Sequence, residues 1–162
     1  MTRPADVNVH EFETASAEET IACGREIAGL LEPPRFLILR GELGAGKTTL
    51  VKGIAEALEA ADADEVTSPT FTLIHEYQGR RGDQPVDLYH LDLYRLESER
   101  QLDTLGLDDL GGADCLVVVE WGDKFPSVVN RSNGEIAMVS SGGDSRKITL
   151  TIRNQAENPS GD

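Results

Sequence analysis

Residues 41–48 read GELGAGKT and satisfy G-x-x-x-x-G-K-[ST] in full, with Gly44 as an additional glycine. Each residue type has a chemical reason to be there. Glycines let a loop fold closely and turn its backbone N–H groups toward phosphate oxygens. A helix that starts where the loop ends adds its positive N-terminal end. Lys47 would neutralise the β- and γ-phosphates, the Thr48 hydroxyl would ligate Mg²⁺, and Thr49 would serve a further phosphate oxygen. The candidate nucleotide-binding run is therefore Gly41, Glu42, Leu43, Gly44, Ala45, Gly46, Lys47, Thr48 and Thr49. No asparagine begins a guanine-reading Asn-Lys-x-Asp, which favours ATP over GTP. Asp109-Leu110-Gly111-Gly112 imitates the Asp-x-x-Gly of GTPases, but it precedes its apolar strand and reads as a turn.

The second half of a phosphate site is a carboxylate at the end of a neighbouring strand. Glu120 directly follows the apolar run Val117-Val118-Val119 and is the candidate for the Mg²⁺ sphere or for orienting a water. Trp121, the single tryptophan, stands beside it at the strand's carboxyl end, where α/β sheets bind ligands. A further polar set lies in YHLDLYR, residues 89–95. By strand parity, Leu91 and Leu93 point one way and His90, Asp92 and Tyr94 the other. A solvated sheet face is the ordinary explanation. Beside a phosphate loop, Asp92 gains a possible task at the metal, with His90 and Tyr94 holding its surroundings. His90 and Asp92 are two ligands at most and do not define a transition-metal site.

These residues must be carried by a regular scaffold. Residues 36–39 (FLIL) and 115–119 (CLVVV) are short continuous apolar runs, as expected of strands buried on both faces. Residues 7–12 read as a first strand, and Ser16 to Glu19 as a capping box opening a helix. That helix carries Ile21, Gly24, Ala28 and Leu31 on one face and stops at Pro33-Pro34. A second helix is predicted over 46–60 and a third over 97–105. Hairpins are predicted for 72–78 with 86–95, about a turn at 79–83, and for 135–139 with 147–152. The expected fold class is α/β: a single P-loop NTPase domain over residues 1–153, with a mixed, mostly parallel sheet flanked by helices and antiparallel hairpins. Residues 154–162 read as a disordered polar tail.

Composition narrows the setting. The formal net charge of −14 argues against a basic nucleic-acid-binding face, unless a partner supplies one. No apolar run is long enough to span a bilayer, and MTRPADVNVHEF lacks the core of a secretory signal, so a cytoplasmic chain without membrane contact is expected. Cys23 and Cys115 fit no metal spacing and read as buried thiols.

Four segments in order, GELGAGKTT (41–49), SPTFTLIHEY (68–77), YHLDLYRL (89–96) and VVEWGDKFP (118–126), closely resemble the TsaE family, formerly called YjeE. These are small bacterial P-loop ATPases required for threonylcarbamoyladenosine modification of tRNA. The resemblance covers roughly residues 10–126. It implies that Lys47 and Thr48 keep their P-loop roles and that Ser68, Pro69 and Thr70 form a switch-like segment facing the γ-phosphate. It implies further that Asp92 lies near Mg²⁺ and is important for hydrolysis, and that Glu120 and Trp121 are the strand-end acid and its neighbouring aromatic. The implied catalytic set is Lys47, Thr70, Asp92 and Glu120, and the implied metal set Thr48, Asp92 and Glu120. The implied partner is the TsaB–TsaD heterodimer, with tRNA met only through that complex and low intrinsic activity stimulated by the partners. Two features depart from the family pattern: Gly122-Asp123 stands where Pro-Glu is usual, and Arg100-Gln101 where acidic residues often follow. The competing readings are a small-molecule or nucleoside kinase, which would need an arginine-bearing lid, and a nucleotide-dependent binding switch with negligible turnover.

Overall fold

Both apolar runs become central strands of one sheet. The computed structural model describes residues 6–42, 44–110 and 112–154. Its elements are β1 (Asp6–Thr14), α1 (Ala17–Leu30), β2 (Arg35–Arg40), α2 (Lys47–Ala57), β3 (Ile74–Arg81), β4 (Gln84–Asp92) and α3 (Glu99–Asp103). They continue with β5 (Cys115–Glu120), α4 (Pro126–Arg131), β6 (Gly134–Gly142) and β7 (Ser145–Asn154). Three 3-10 turns span Ala63–Glu65, Leu107–Leu110 and Gly122–Lys124. The seven strands are ordered β1-β7-β6-β2-β5-β4-β3. At the centre β6, β2, β5 and β4 run parallel, and the outer pairings, the hairpins β3–β4 and β6–β7 and the edge pair β1–β7, are antiparallel. The sheet is mixed α/β as expected, but among the described residues its pairings are three parallel and three antiparallel rather than mostly parallel, because β1 and the two hairpins add antiparallel strands at both edges.

The doubly buried character of β2 and β5 follows from what covers each face. Leu37, Leu39, Leu116 and Val118 pack under α1 and α2 with Ile27, Leu31, Leu50 and Ile54. Phe36, Ile38, Val117 and Val119 pack on the other side against Leu91, Leu93, Leu102, Phe125 and Val128. Alternate residues of one run thus serve two separate cores, which is why no polar residue interrupts either run. Among the described residues, no helix is long and apolar enough to cross a membrane. Both cysteines are buried thiols, and burial, with the Glu26 charge second, pushes the Cys23 thiol up to about 11.

α1 opens as read: Ser16 Oγ accepts from Glu19 N at 3.1 Å, while Glu19 reaches back one residue further, to Ala15 N at 2.9 Å. Its buried stripe is Cys23, Gly24, Ile27, Ala28 and Leu31, with Ile21 half-buried at the edge. α1 and α2 meet where their backbones nearly touch. A Cβ added at Gly53 would collide with the Ile21 carbonyl oxygen and reach 2.9 Å from Arg25 N. Gly53→Ala is therefore expected to destabilise the fold by about 3 kcal/mol, because backbone cannot yield as a side-chain tip can. Gly29→Ala, on the open face of α1, should be neutral or stabilising by up to about 1 kcal/mol. Urea unfolding of the two variants measures the difference.

Several boundaries differ from the sequence reading for local reasons. α2 stops at Ala57 because β3 crosses its end: Arg80 N bonds Leu58 O at 2.7 Å, and Gly79 leaves no room there for a Cβ. Gly79, Arg80 and Arg81 therefore belong to β3, and the turn is the pair Gly82-Asp83. The third helix shrinks to α3, since Ser98 caps it by accepting from Gln101 N and Gly106 breaks it with φ +68. Leu107–Leu110 is a 3-10 turn that takes in Asp109 and Leu110 of the GTPase-like stretch, with Gly111 outside the described residues. Asn154 closes β7, where its Oδ1 accepts from Arg35 Nη2 at 2.6 Å, and is not part of a tail. Residues 155–162 lie outside the described residues.

Candidate functional site

The glycine-rich loop joins the carboxyl end of β2 to the first turn of α2. Gly44 and Gly46 hold φ of +81 and +96, a region costly for any residue with a Cβ. The loop closes on itself through Ala45 N to Glu42 O at 3.0 Å. Lys47 is buried at the head of α2, where its Nζ donates to Gly41 O at 2.6 Å. That ammonium also lies 3.7 Å from Glu120 Oε1 and 4.5 Å from the centre of the Trp121 ring. Gly44, Gly46, Lys47, Thr48 and Thr49 line a cleft of about 520 Å³. Gly41, Glu42 and Ala45 instead line a neighbouring cavity of about 650 Å³ on the loop's other side. Leu43 lies outside the described residues.

Parallel pairing brings the two acids together. β4 and β5 end in register, Asp92 opposite Glu120, and both carboxylates are buried where the cleft meets the sheet. Their partners differ. Asp92 Oδ2 accepts from Thr70 Oγ1 at 2.9 Å, and its Oδ1 accepts from Tyr94 N at 2.9 Å. Thr70 is in turn 2.8 Å from the Ser68 hydroxyl, and Asp92 N bonds Leu73 O at 3.0 Å. The SPTFTL segment is thus fastened to Asp92 at two points, the Thr70 hydroxyl on its carboxylate and the Leu73 carbonyl on its backbone N–H. Glu120 Oε2 accepts from His90 Nε2 at 2.5 Å. His90 is fully buried and its Nδ1 has no partner among the described residues, so the tautomer protonated at Nε2 leaves no N–H unbonded when it donates to Glu120.

The polar face of YHLDLYR is accordingly no solvated surface. His90 and Asp92 do share the face toward the phosphate loop, but His90 supports Glu120 rather than Asp92. Tyr94 has left the strand, because the Asp92 carboxylate bonds its backbone N–H and turns the chain. Its half-exposed ring packs 5.1 Å from Trp121. Trp121 itself sits at φ +62 and lines both cavities.

Two residues of the site carried no signal of their own. Lys124 Nζ donates to the carbonyls of Leu93, Tyr94 and Leu96, at 3.2, 2.8 and 2.7 Å, and so clamps the chain leaving β4. Arg146, at the start of β7, reaches across to the glycine-rich loop. The two departures from the family pattern have local explanations. A Cβ at Gly122 would fall 2.9 Å from Val128 Cγ1, and Asp123 faces Arg40 at 3.7 Å, toward the second cavity. Gln101 Oε1 accepts from Glu97 N at 2.6 Å and so helps start α3.

Among the described residues, no three His, Cys, Asp or Glu side chains form a cage for a metal ion. The donor set Thr48, Asp92 and Glu120 suits Mg²⁺, which takes one or two carboxylates and completes its sphere with phosphate oxygens and water. Chemically the cleft can bind a polyphosphate, balance its charge and hold two carboxylates beside its end.

Comparison with known proteins agrees with this geometry. A family model described as threonylcarbamoyl adenosine biosynthesis protein TsaE matches residues 14–148. The chain is 38% identical over 141 residues to the tRNA threonylcarbamoyladenosine biosynthesis protein TsaE of Bacillus subtilis, covering 87% of this chain and 84% of that protein. It is 36% identical over 135 residues to the protein of the same name from Treponema pallidum, covering 83% and 95%. The crystal structure of Bacillus subtilis YdiB superposes with a TM-score of 0.64 at 32% identity, covering 91% of this chain and 87% of that one.

Proposed function

The chain belongs to the TsaE family, and from that premise we propose that it is the ATPase of the tRNA threonylcarbamoyladenosine machinery, with Mg²⁺-dependent hydrolysis driving the cycle of the TsaB–TsaD complex. One observation carries the reading. The β4–β5 register sets Asp92 beside Glu120, facing the phosphate-loop lysine in one cleft.

The loop amides and the first turn of α2 would receive the phosphates, and Lys47 would leave Gly41 O to neutralise the β- and γ-oxygens. Thr48, Asp92 and Glu120 would hold Mg²⁺, whose charge offsets what develops on the transferred phosphoryl group. Thr70, tied to Asp92, would sense the γ-phosphate and carry that state into the SPTFTL segment. An oriented water is the nucleophile. Thr20 of α1 and Asp144 of the β6–β7 turn also line the cleft, and the nucleoside would lie toward them. With a net charge of −14, contact with tRNA is left to the partners.

The kinase reading needs an arginine-bearing lid, and the basic pair of the β3–β4 hairpin does not supply one. Arg80 pairs with Glu59, and Arg81 bonds Gly29 O, both away from the cleft. The test is phosphate release from Mg-ATP by the chain alone and with TsaB–TsaD, alongside tRNA modification. Release stimulated by the pair supports the proposal, whereas phosphate transferred to a small-molecule acceptor overturns it. Trp121 supplies a direct readout of binding. Saturating Mg-ATP is expected to change its emission, since Lys47 must move off the ring, and Lys47→Met should abolish the response. Emission unmoved by ATP would speak against this cleft as the nucleotide site.

A further inference from the structure

The β6–β7 hairpin is distant in sequence from the phosphate loop, yet one of its side chains holds the loop's shape. The Arg146 guanidinium donates from Nε to Ala45 O at 2.7 Å and from Nη2 to Gly44 O at 3.1 Å. Through Nη1 it also bonds Gly143 O at 2.7 Å and Ser145 O at 2.9 Å, with Ser140 Oγ at 3.5 Å. One planar fork therefore ties the hairpin turn to two consecutive peptides of the loop.

We propose that Arg146 is a positioning residue for nucleotide binding: it locks the Gly44 and Ala45 carbonyls away from the anion and so pre-forms the phosphate loop. The proposal rests on the nucleotide reading of the cleft. Three considerations support it. Three glycines make the free loop entropically expensive to order, so it needs an outside restraint. Its other side-chain restraint, Lys47 on Gly41 O, is the one that phosphate would take away, whereas the bonds to Arg146 can persist. A carbonyl held by a guanidinium also cannot rotate toward an anion, and its peptide is polarised so that the following N–H donates more strongly. Lysine, a point charge with no fixed fork, cannot hold two carbonyls in this arrangement.

The test is calorimetric titration of the full chain with Mg-ATP and Mg-ADP, wild type against Arg146→Lys and Arg146→Gln. Both variants are expected to lose at least about tenfold in affinity, by the same factor for ATP and ADP, since both nucleotides use the same loop. KM for ATP should rise much more than kcat falls, and amide exchange at residues 41–46 should quicken without nucleotide. Circular dichroism confirms folding, and if one variant fails to fold the other decides. Wild-type affinity in a folded variant overturns the proposal. So does a loss confined to ATP, which would make Arg146 a direct ligand of the γ-phosphate. A wild-type chain that binds neither nucleotide overturns the nucleotide reading itself, and with it this proposal.

Discussion

Glu120→Gln is expected to leave Mg-ATP bound while cutting its hydrolysis at least about a hundredfold, the scale seen when one charge-stabilising group is removed from a preorganised site. The carboxylate stands between two groups that fix it. His90 donates to Oε2, and Lys47 lies beside Oε1. Glutamine preserves the shape and can still accept from His90, so a loss of rate reports charge and metal affinity rather than collapse. Alanine would be a poorer test. It would leave His90 fully buried with neither ring nitrogen bonded, at about 1–3 kcal/mol for the orphaned donor. Phosphate release at saturating ATP, with TsaB–TsaD present, checks the prediction. Wild-type turnover in Glu120→Gln would remove Glu120 from the mechanism.

Asp92→Ala should show a loss of similar size by a different route. Its two oxygens hold Thr70 Oγ1 and Tyr94 N, so the substitution releases the Thr70 end of the SPTFTL segment and the turn out of β4, while the backbone bond to Leu73 O remains. Hydrolysis is expected to fall about a hundredfold, and amide exchange over residues 68–73 to accelerate. Thr70→Val separates the two roles, since it breaks the tether but leaves the carboxylate. A loss of about tenfold there, with Mg²⁺ dependence intact, would assign the remainder of the Asp92 effect to the metal. Equal losses in both variants would assign all of it to the tether.

Much of this was legible because it depends on local pattern. Residues 36–39 and 115–119 advertise burial on two faces, and both faces are indeed covered. The phosphate loop follows from glycine spacing between a strand and a helix. What the pattern could not supply was register and remote contact. His90 and Glu120 lie thirty residues apart, and their bond exists because β4 and β5 are parallel with His90 opposite Val118. Parity alone grouped His90 with Asp92 and Tyr94, and the turn enforced by Asp92 then took Tyr94 out of the strand. The early end of α2 is likewise a tertiary effect, set by the close approach of Gly79. Arg146 had no signal beyond a basic residue after a turn, because its partners are carbonyls, and carbonyls leave no mark in a sequence.

In the proposed cycle, hydrolysis at this cleft resets a partner complex. The most direct measurement is the number of tRNAs modified per TsaD with excess substrate, comparing the wild-type chain with Glu120→Gln at saturating Mg-ATP. Many modified tRNAs per TsaD with wild type, and no more than a single round with the variant, is the predicted result. Equal multiple turnover with both would contradict it.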